Sequence, residues 1–172
     1  MRPSVPLAVV ALLTIIGAST PLSAQQTSAN VTATATVQTR PLSVQSLHDL
    51  EFGNLFPGNS KTVAVTDAGA GKVDLVAAPQ SSLIVSFELP TNLTTTAPAG
   101  VNPSLAIDDW TGSVSSDPNA PGGGSFNPPT GVGLGTGSQG EFFLFIGASV
   151  HARADQAAGD YRGTIAITVA YE

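Results

Sequence analysis

The chain has no cysteine, so no disulfide staples it and no thiolate serves as nucleophile or metal ligand. Tryptophan and methionine occur once each and histidine twice in 172 residues. A hydrolytic or metal site built on imidazole therefore has only His48 and His151 to draw on. Charge is scarce as well: Asp, Glu, Lys and Arg make up 10%, with twelve acids against six bases. That balance makes nucleic acid and anionic lipid poor partners. The longest apolar stretch, residues 7–16 broken only by Thr14, is shorter than the roughly 20 residues a helix needs to cross a hydrocarbon core. No long window carries a sustained 3.6-residue apolar period.

What is present is small, branched or turn-forming. Eighteen Gly and thirteen Pro stand among abundant Thr, Ser, Val and Ala, a composition that favours short strands joined by turns. At the N-terminus a single base, Arg2, precedes the apolar run, and small residues follow as far as Pro21-Leu22-Ser23-Ala24. This is the layout of a secretory signal peptide. The expectation is a signal peptide over 1–24, cleaved after Ala24, and one domain over 25–172. The remaining 148 of the 172 residues are enough for a single hydrophobic core. Losing Arg2 leaves five bases against twelve acids, a formal charge of −7. The expected location is the periplasm, the cell surface or the exterior, with no retained membrane span.

Val31, Ala33, Ala35 and Val37 alternate with Thr32, Thr34 and Thr36, which predicts a half-buried strand over 30–39. Short apolar pieces follow at 42–44 and 50–52, and residues 62–66 alternate again. Segments 72–77 and 83–89 read as adjacent antiparallel strands, the second placing Leu83, Val85, Phe87 and Leu89 on one face. Residues 91–140, with their Pro and Gly runs, read as long loops. Residues 141–152 are apolar on both faces, which predicts a central strand with Gly147 at a bulge or a close approach. The chain closes on Tyr161, Gly163, Ile165, Ile167, Val169 and Tyr171 alternating with Arg162, Thr164, Ala166, Thr168 and Ala170. Fully buried, Ile165, Ile167 and Val169 would each contribute roughly 1.5–3 kcal/mol, so Ile167→Asp is expected to unfold the domain. Eight to ten short strands without helical crossovers predict an all-β antiparallel sandwich, a closed barrel being the alternative.

Chemistry-bearing constellations are few. His48 sits in a polar turn beside Asp49 and His151 ends the aromatic strand, so both read as surface residues. No Ser lies in a Gly-x-Ser-x-Gly elbow. Gly135-Thr136-Gly137-Ser138-Gln139-Gly140 has the letters of a dinucleotide-binding pattern, but it leads into a strand and no strand is expected before it. It reads as a flexible loop. Asp108, Asp109, Asp117 and Asn119 form the densest group of oxygen ligands, of the kind that builds calcium loops. Their spacing matches no EF-hand, and paired Asp in a turn are ordinarily solvated turn formers. Trp110 follows them directly; its flat face would suit a sugar ring, but anchoring a loop to the core is the preferred reading. No catalytic, cofactor-binding or metal-binding residue is assigned, no cofactor is expected, and the chain is not read as an enzyme.

Two segments carry a resemblance. The first is Pro41-Leu42-Ser43-Val44 with Asp49-Leu50-Glu51-Phe52-Gly53-Asn54-Leu55-Phe56-Pro57-Gly58. The second is Gln156-Ala157-Ala158-Gly159-Asp160-Tyr161-Arg162-Gly163-Thr164-Ile165 with Thr168-Val169-Ala170-Tyr171. Together they resemble the bacterial exported family known as domain of unknown function 4402. That family is similar in layout to spore-coat U and fimbrial-subunit domains, so the resemblance implies an immunoglobulin-like, pilin-like β-sandwich. Gly159, fourteenth from the end, and the penultimate Tyr171 also resemble the closing strand of chaperone-usher pilins, although the cysteine pair of many such pilins is absent. The reading is an exported structural or surface-assembly protein, fimbrial-subunit-like, pairing by strands with copies of itself or other surface subunits. The alternative is a monomeric exported binding module, glycan-binding through the region of Trp110.

Overall fold

The computed structural model of the chain describes residues 41–96 and 102–172; the expected signal peptide over 1–24 and the alternating segment over 30–39 lie outside the described residues. Ten strands follow one another: β1 (Ser43–His48), β2 (Ser60–Val63), β3 (Gly71–Val76), β4 (Ser82–Glu88), β5 (Asn92–Thr94), β6 (Ser104–Ser115), β7 (Gly124–Phe126), β8 (Val132–Gly135), β9 (Glu141–His151) and β10 (Ala166–Tyr171). Among the described residues the only helical piece is one 3-10 turn, Pro128–Thr130. The protein is all-β, as its composition predicts.

The strands form two antiparallel sheets. The larger has seven strands in the order β1-β3-β9-β6-β5, with β2 also paired to β9 and β7 also to β6; the smaller has three, β10-β4-β8. The period-2 pattern determines which residues turn inward. On β4, Leu83 and Val85 are fully buried while Ser82, Ile84 and Ser86 are exposed. Val73, Leu75 and Leu144 of the larger sheet meet Leu83 and Val85 of the smaller one in a single cluster, so the two sheets share a core. A second cluster, Leu105, Ile107, Ala148 and Val150, lies along β6 and β9.

The expected central strand is β9, flanked on one side by β3 and β2 and on the other by β6. Both of its faces are covered. Leu144 and Ile146 are buried on one, and on the other Phe143 and Phe145 are buried with the Lys72 ammonium 5.9 and 5.6 Å from their ring centres. The expected close approach at Gly147 is present: a Cβ there would lie 2.4 Å from the Val63 carbonyl oxygen and 2.8 Å from Thr111 Oγ1.

Three expectations are corrected. Segments 72–77 and 83–89 are strands, but they do not pair with each other; β3 pairs with β1 and β9, and β4 with β10 and β8. Their connection crosses from one sheet to the other, and its corner is tied by Thr136. Thr136 Oγ1 accepts from the Ser81 amide at 2.7 Å and donates to the Ala78 carbonyl at 2.7 Å, with the residue buried. The segment 135–140 is therefore a fixed strand-to-strand corner: β8 does precede it, and β9 follows it. Nor are residues 91–140 long loops; they hold β5, β7, β8 and the twelve-residue β6. Polar and Gly residues on β6 hid it, because Ser113 and Ser115 pack in small spaces beside Phe145 and Phe143.

Thr136→Val keeps the shape of the corner and removes its hydroxyl. The Ser81 amide then loses its acceptor, and a loss of about 1–3 kcal/mol is expected. Urea unfolding measures this, and an unchanged midpoint would mean that the hydroxyl does not hold the corner.

Candidate assembly edge and an exposed polar ladder

β10 lies at an edge of the smaller sheet, and among the described residues only β4 pairs with it. Its register runs without a bulge from Ala166 opposite Glu88 to Tyr171 opposite Leu83. Glu172 donates its amide to the Ser82 carbonyl at 3.0 Å, which sets the direction of the ladder. By alternation, the amides of Ile167, Val169 and Tyr171 point away from β4, toward the open edge. Their side chains point inward and join the shared core, yet all three are only half-buried, whereas Leu83 and Val85 one strand further in are sealed. This corrects the expected full burial of Ile167: a charge placed there reaches water, so Ile167→Asp does not carry the cost of a buried ion.

At β1, one edge of the larger sheet, apolar side chains are also exposed. Val44 stands opposite Leu75 and so shares its core-facing side. Leu75 is fully buried while Val44 is 40% exposed, and Leu47 further along β1 is 46% exposed. The two edges differ in their guards. β1 carries a bulge between Ser46 and His48, a device that discourages further pairing. β10 carries neither a bulge nor a Pro, Lys or Arg along its length.

The two quoted segments earn their structural meaning here. Leu50, Phe52 and Leu55 pack on the second core cluster, fastened by the Glu51 amide to the Gly69 carbonyl at 2.8 Å and the Gly58 amide to the Arg153 carbonyl at 3.0 Å. Tyr161 packs on the same cluster, and its hydroxyl accepts from Gln156 Nε2 at 2.6 Å and donates to the Ala157 carbonyl at 2.7 Å. That lock fixes the approach of the chain to β10. Tyr171 Oη in turn accepts from the Ala78 amide at 2.9 Å.

The other feature is a polar ladder on the outer face, where β2, β9 and β6 lie side by side. Ser60 stands opposite His151, and Ser149 stands between Thr62 and Asp108. Thr62 Oγ1 and Ser149 Oγ share a hydrogen bond of 2.8 Å. His151 makes two: Nδ1 with Ser60 Oγ at 2.6 Å and Nε2 with Asp108 Oδ1 at 2.7 Å. Asp108 and Asp109 are not in a turn, as the sequence implied, but at a bulge in β6 between Asp108 and Thr111, where Asp109 has φ +48°. In a regular strand their side chains would point to opposite faces. The bulge instead brings a carboxylate oxygen of each within 4.8 Å of the His151 ring nitrogen and of each other.

Ser, His and Asp in a hydrogen-bonded row are the residue types of a nucleophilic triad, which works where water is excluded and donors await an oxyanion. Here the His151 and Asp108 side chains are 41% and 57% exposed on an open sheet face. The row is built for the surface. His48 is elsewhere, at the end of β1 and not in the expected turn, its Nδ1 bonded to the Ala70 carbonyl at 3.1 Å. Asp117 and Asn119 lie beyond the far end of β6, in a local turn where Asp117 Oδ1 accepts from the Asn119 amide, apart from Asp108 and Asp109. Trp110 is half-buried on β6 against the second cluster and borders an open depression of about 400 Å³ with Phe87, Leu89 and Pro90.

Two antiparallel sheets around one core, with no helix long and apolar enough to cross a membrane among the described residues, define an all-β domain. The chain belongs to the family Domain of unknown function (DUF4402), whose model matches residues 42–171. The matched span runs from the start of β1 to the end of β10. No curated protein matches the chain.

Proposed function

We propose that the protein is an exported structural subunit, fimbrial-subunit-like, which assembles by strand addition at β10 on an immunoglobulin-like, pilin-like sandwich and performs no catalysis. The observation that carries this reading is the state of β10: a bulge-free edge whose inward Ile167, Val169 and Tyr171 remain half-buried. A further strand would cover them and satisfy the outward amides, which is the physics of recognition by β-augmentation. The proposed occupant is segment 30–39 of a neighbouring copy. Its Val31, Ala33, Ala35 and Val37 offer an apolar face with the right period, and ten residues extend to roughly 33 Å, more than the six of β10. Deleting 25–39 is expected to abolish multimers, seen by size-exclusion chromatography with light scattering, and to leave a chain that binds a synthetic 30–39 peptide. Val169→Pro removes an outward amide without breaking the ladder to β4, and is expected to prevent both. A deleted chain that neither binds the peptide nor changes its assembly state overturns the proposal.

A second reading is a monomeric glycan-binding module at the depression beside Trp110, whose apolar walls suit a sugar face. Quenching or shift of the single tryptophan's fluorescence by oligosaccharides separates this from assembly.

A further inference from the structure

We propose that Asp108, Asp109 and His151 bind a divalent first-row transition cation, with zinc as the reference ion. The donor set is mixed: two carboxylate oxygens and one imidazole nitrogen, all mutually within 4.8 Å. Bonds of about 2.0–2.2 Å from a common centre place ligand atoms roughly 3–4 Å apart, so small side-chain adjustments suffice. Imidazole distinguishes this group from an ordinary acidic patch, because nitrogen donors suit zinc and its neighbours whereas calcium and magnesium take oxygen.

Three features of the chain assemble it. Antiparallel pairing of β6 with β9 puts Asp108 opposite Ser149, two residues from His151 on the same face. The bulge redirects Asp109, bringing two negative charges together at a left-handed residue, an arrangement that a cation neutralises. Ser60 supplies the outer support. In the neutral tautomer that donates its Nε2 proton to the Asp108 carboxylate, Nδ1 accepts from the Ser60 hydroxyl. With metal, the Nε2 lone pair is needed and the proton resides on Nδ1, where the same hydroxyl accepts it. Ser60 can serve both tautomers because a hydroxyl donates as well as accepts. A second hydrogen bond of this kind is what orients metal-bound histidines. The remaining coordination positions face solvent, which leaves room for water or for an oxygen or nitrogen donor from another molecule.

The test is calorimetric titration of the chain with Zn²⁺, alongside the imidazole NMR signals. One equivalent is expected to bind with a Kd below about 100 μM. The His151 ring signals are expected to shift while those of His48, the internal control, stay in place. His151→Ala and Asp109→Asn are expected to weaken binding at least tenfold, and Ser60→Ala by about 10–100-fold through loss of the orienting bond. All three substitutions are on the surface, and unchanged thermal melts without metal verify that the variants are folded. Absence of saturable binding up to about 1 mM overturns the proposal. So does undiminished binding by His151→Ala, and so does Ca²⁺ binding more tightly than Zn²⁺, since either result reduces the group to an acidic patch.

Discussion

Leu144→Ala is expected to destabilise the protein by about 2–5 kcal/mol, a large part of the roughly 5–15 kcal/mol that holds an ordinary domain together. Leu144 is fully buried at the middle of β9, opposite Val73 on one side and Val114 on the other, and it joins both sheets in the shared core. Removing three carbons there leaves a cavity that neither sheet can collapse to fill, because each is held by its own ladder. Chemical denaturation gives the free energy directly, and the melting temperature is expected to fall by roughly 5–20 °C. A loss below about 1 kcal/mol would mean that the sheets are not packed on one another at this point.

Gly147→Ala is expected to be nearly as damaging, for the opposite reason. The added methyl would sit 2.4 Å from the Val63 carbonyl oxygen, a backbone atom that rotamer changes cannot move aside. β2 has to separate from β9, at a cost of about 1–3 kcal/mol or more. Hydrogen exchange localises the effect: the amides of β2 are expected to lose protection before those of β3, which pairs with the other half of β9. The same displacement carries Ser60 away from His151. Uniform loss of protection across β2 and β3 would show that the two strands respond as one unit and that the clash is not local.

The polar ladder was beyond reach of the sequence. His151 lies 91 residues from Ser60 and 43 from Asp108, and no short motif encodes that meeting. Pairing register creates it: Ser60 is opposite His151 only because β2 continues the line of β3 along β9. The Asp108-Asp109 pair was visible, but its placement in a turn was mistaken, since a β6 with a bulge, two buried Ser and a Gly does not alternate cleanly. The one available signal was that a bulge residue with positive φ favours Asp or Asn. The depression beside Trp110 is likewise a product of packing, as Phe87 comes from the other sheet and Leu89 from the residue just past its strand.

Local pattern was enough for features that depend on neighbours in the chain. Strands at 72–77 and 83–89 and the inward Leu83 and Val85 follow from side chains alternating along an extended backbone, while the central position of β9 follows from apolar residues on both of its faces and the close approach from a Gly within it. The family likeness at both ends of the matched span was legible for a related reason: Tyr161 with Gln156, and Leu50 with Phe52, work within short stretches that keep their spacing. Pairing partners are another matter. Nothing local separates a hairpin between β3 and β4 from a crossing between sheets, because both present two apolar strands and a short connection. Thr136, 55 residues beyond Ser81, ties the crossing, while β9 and β10 occupy edges of β3 and β4 that a hairpin between them would use. The half-covered edge of β10 is also decided in three dimensions, since alternation tells which side chains face inward but not whether another strand covers them.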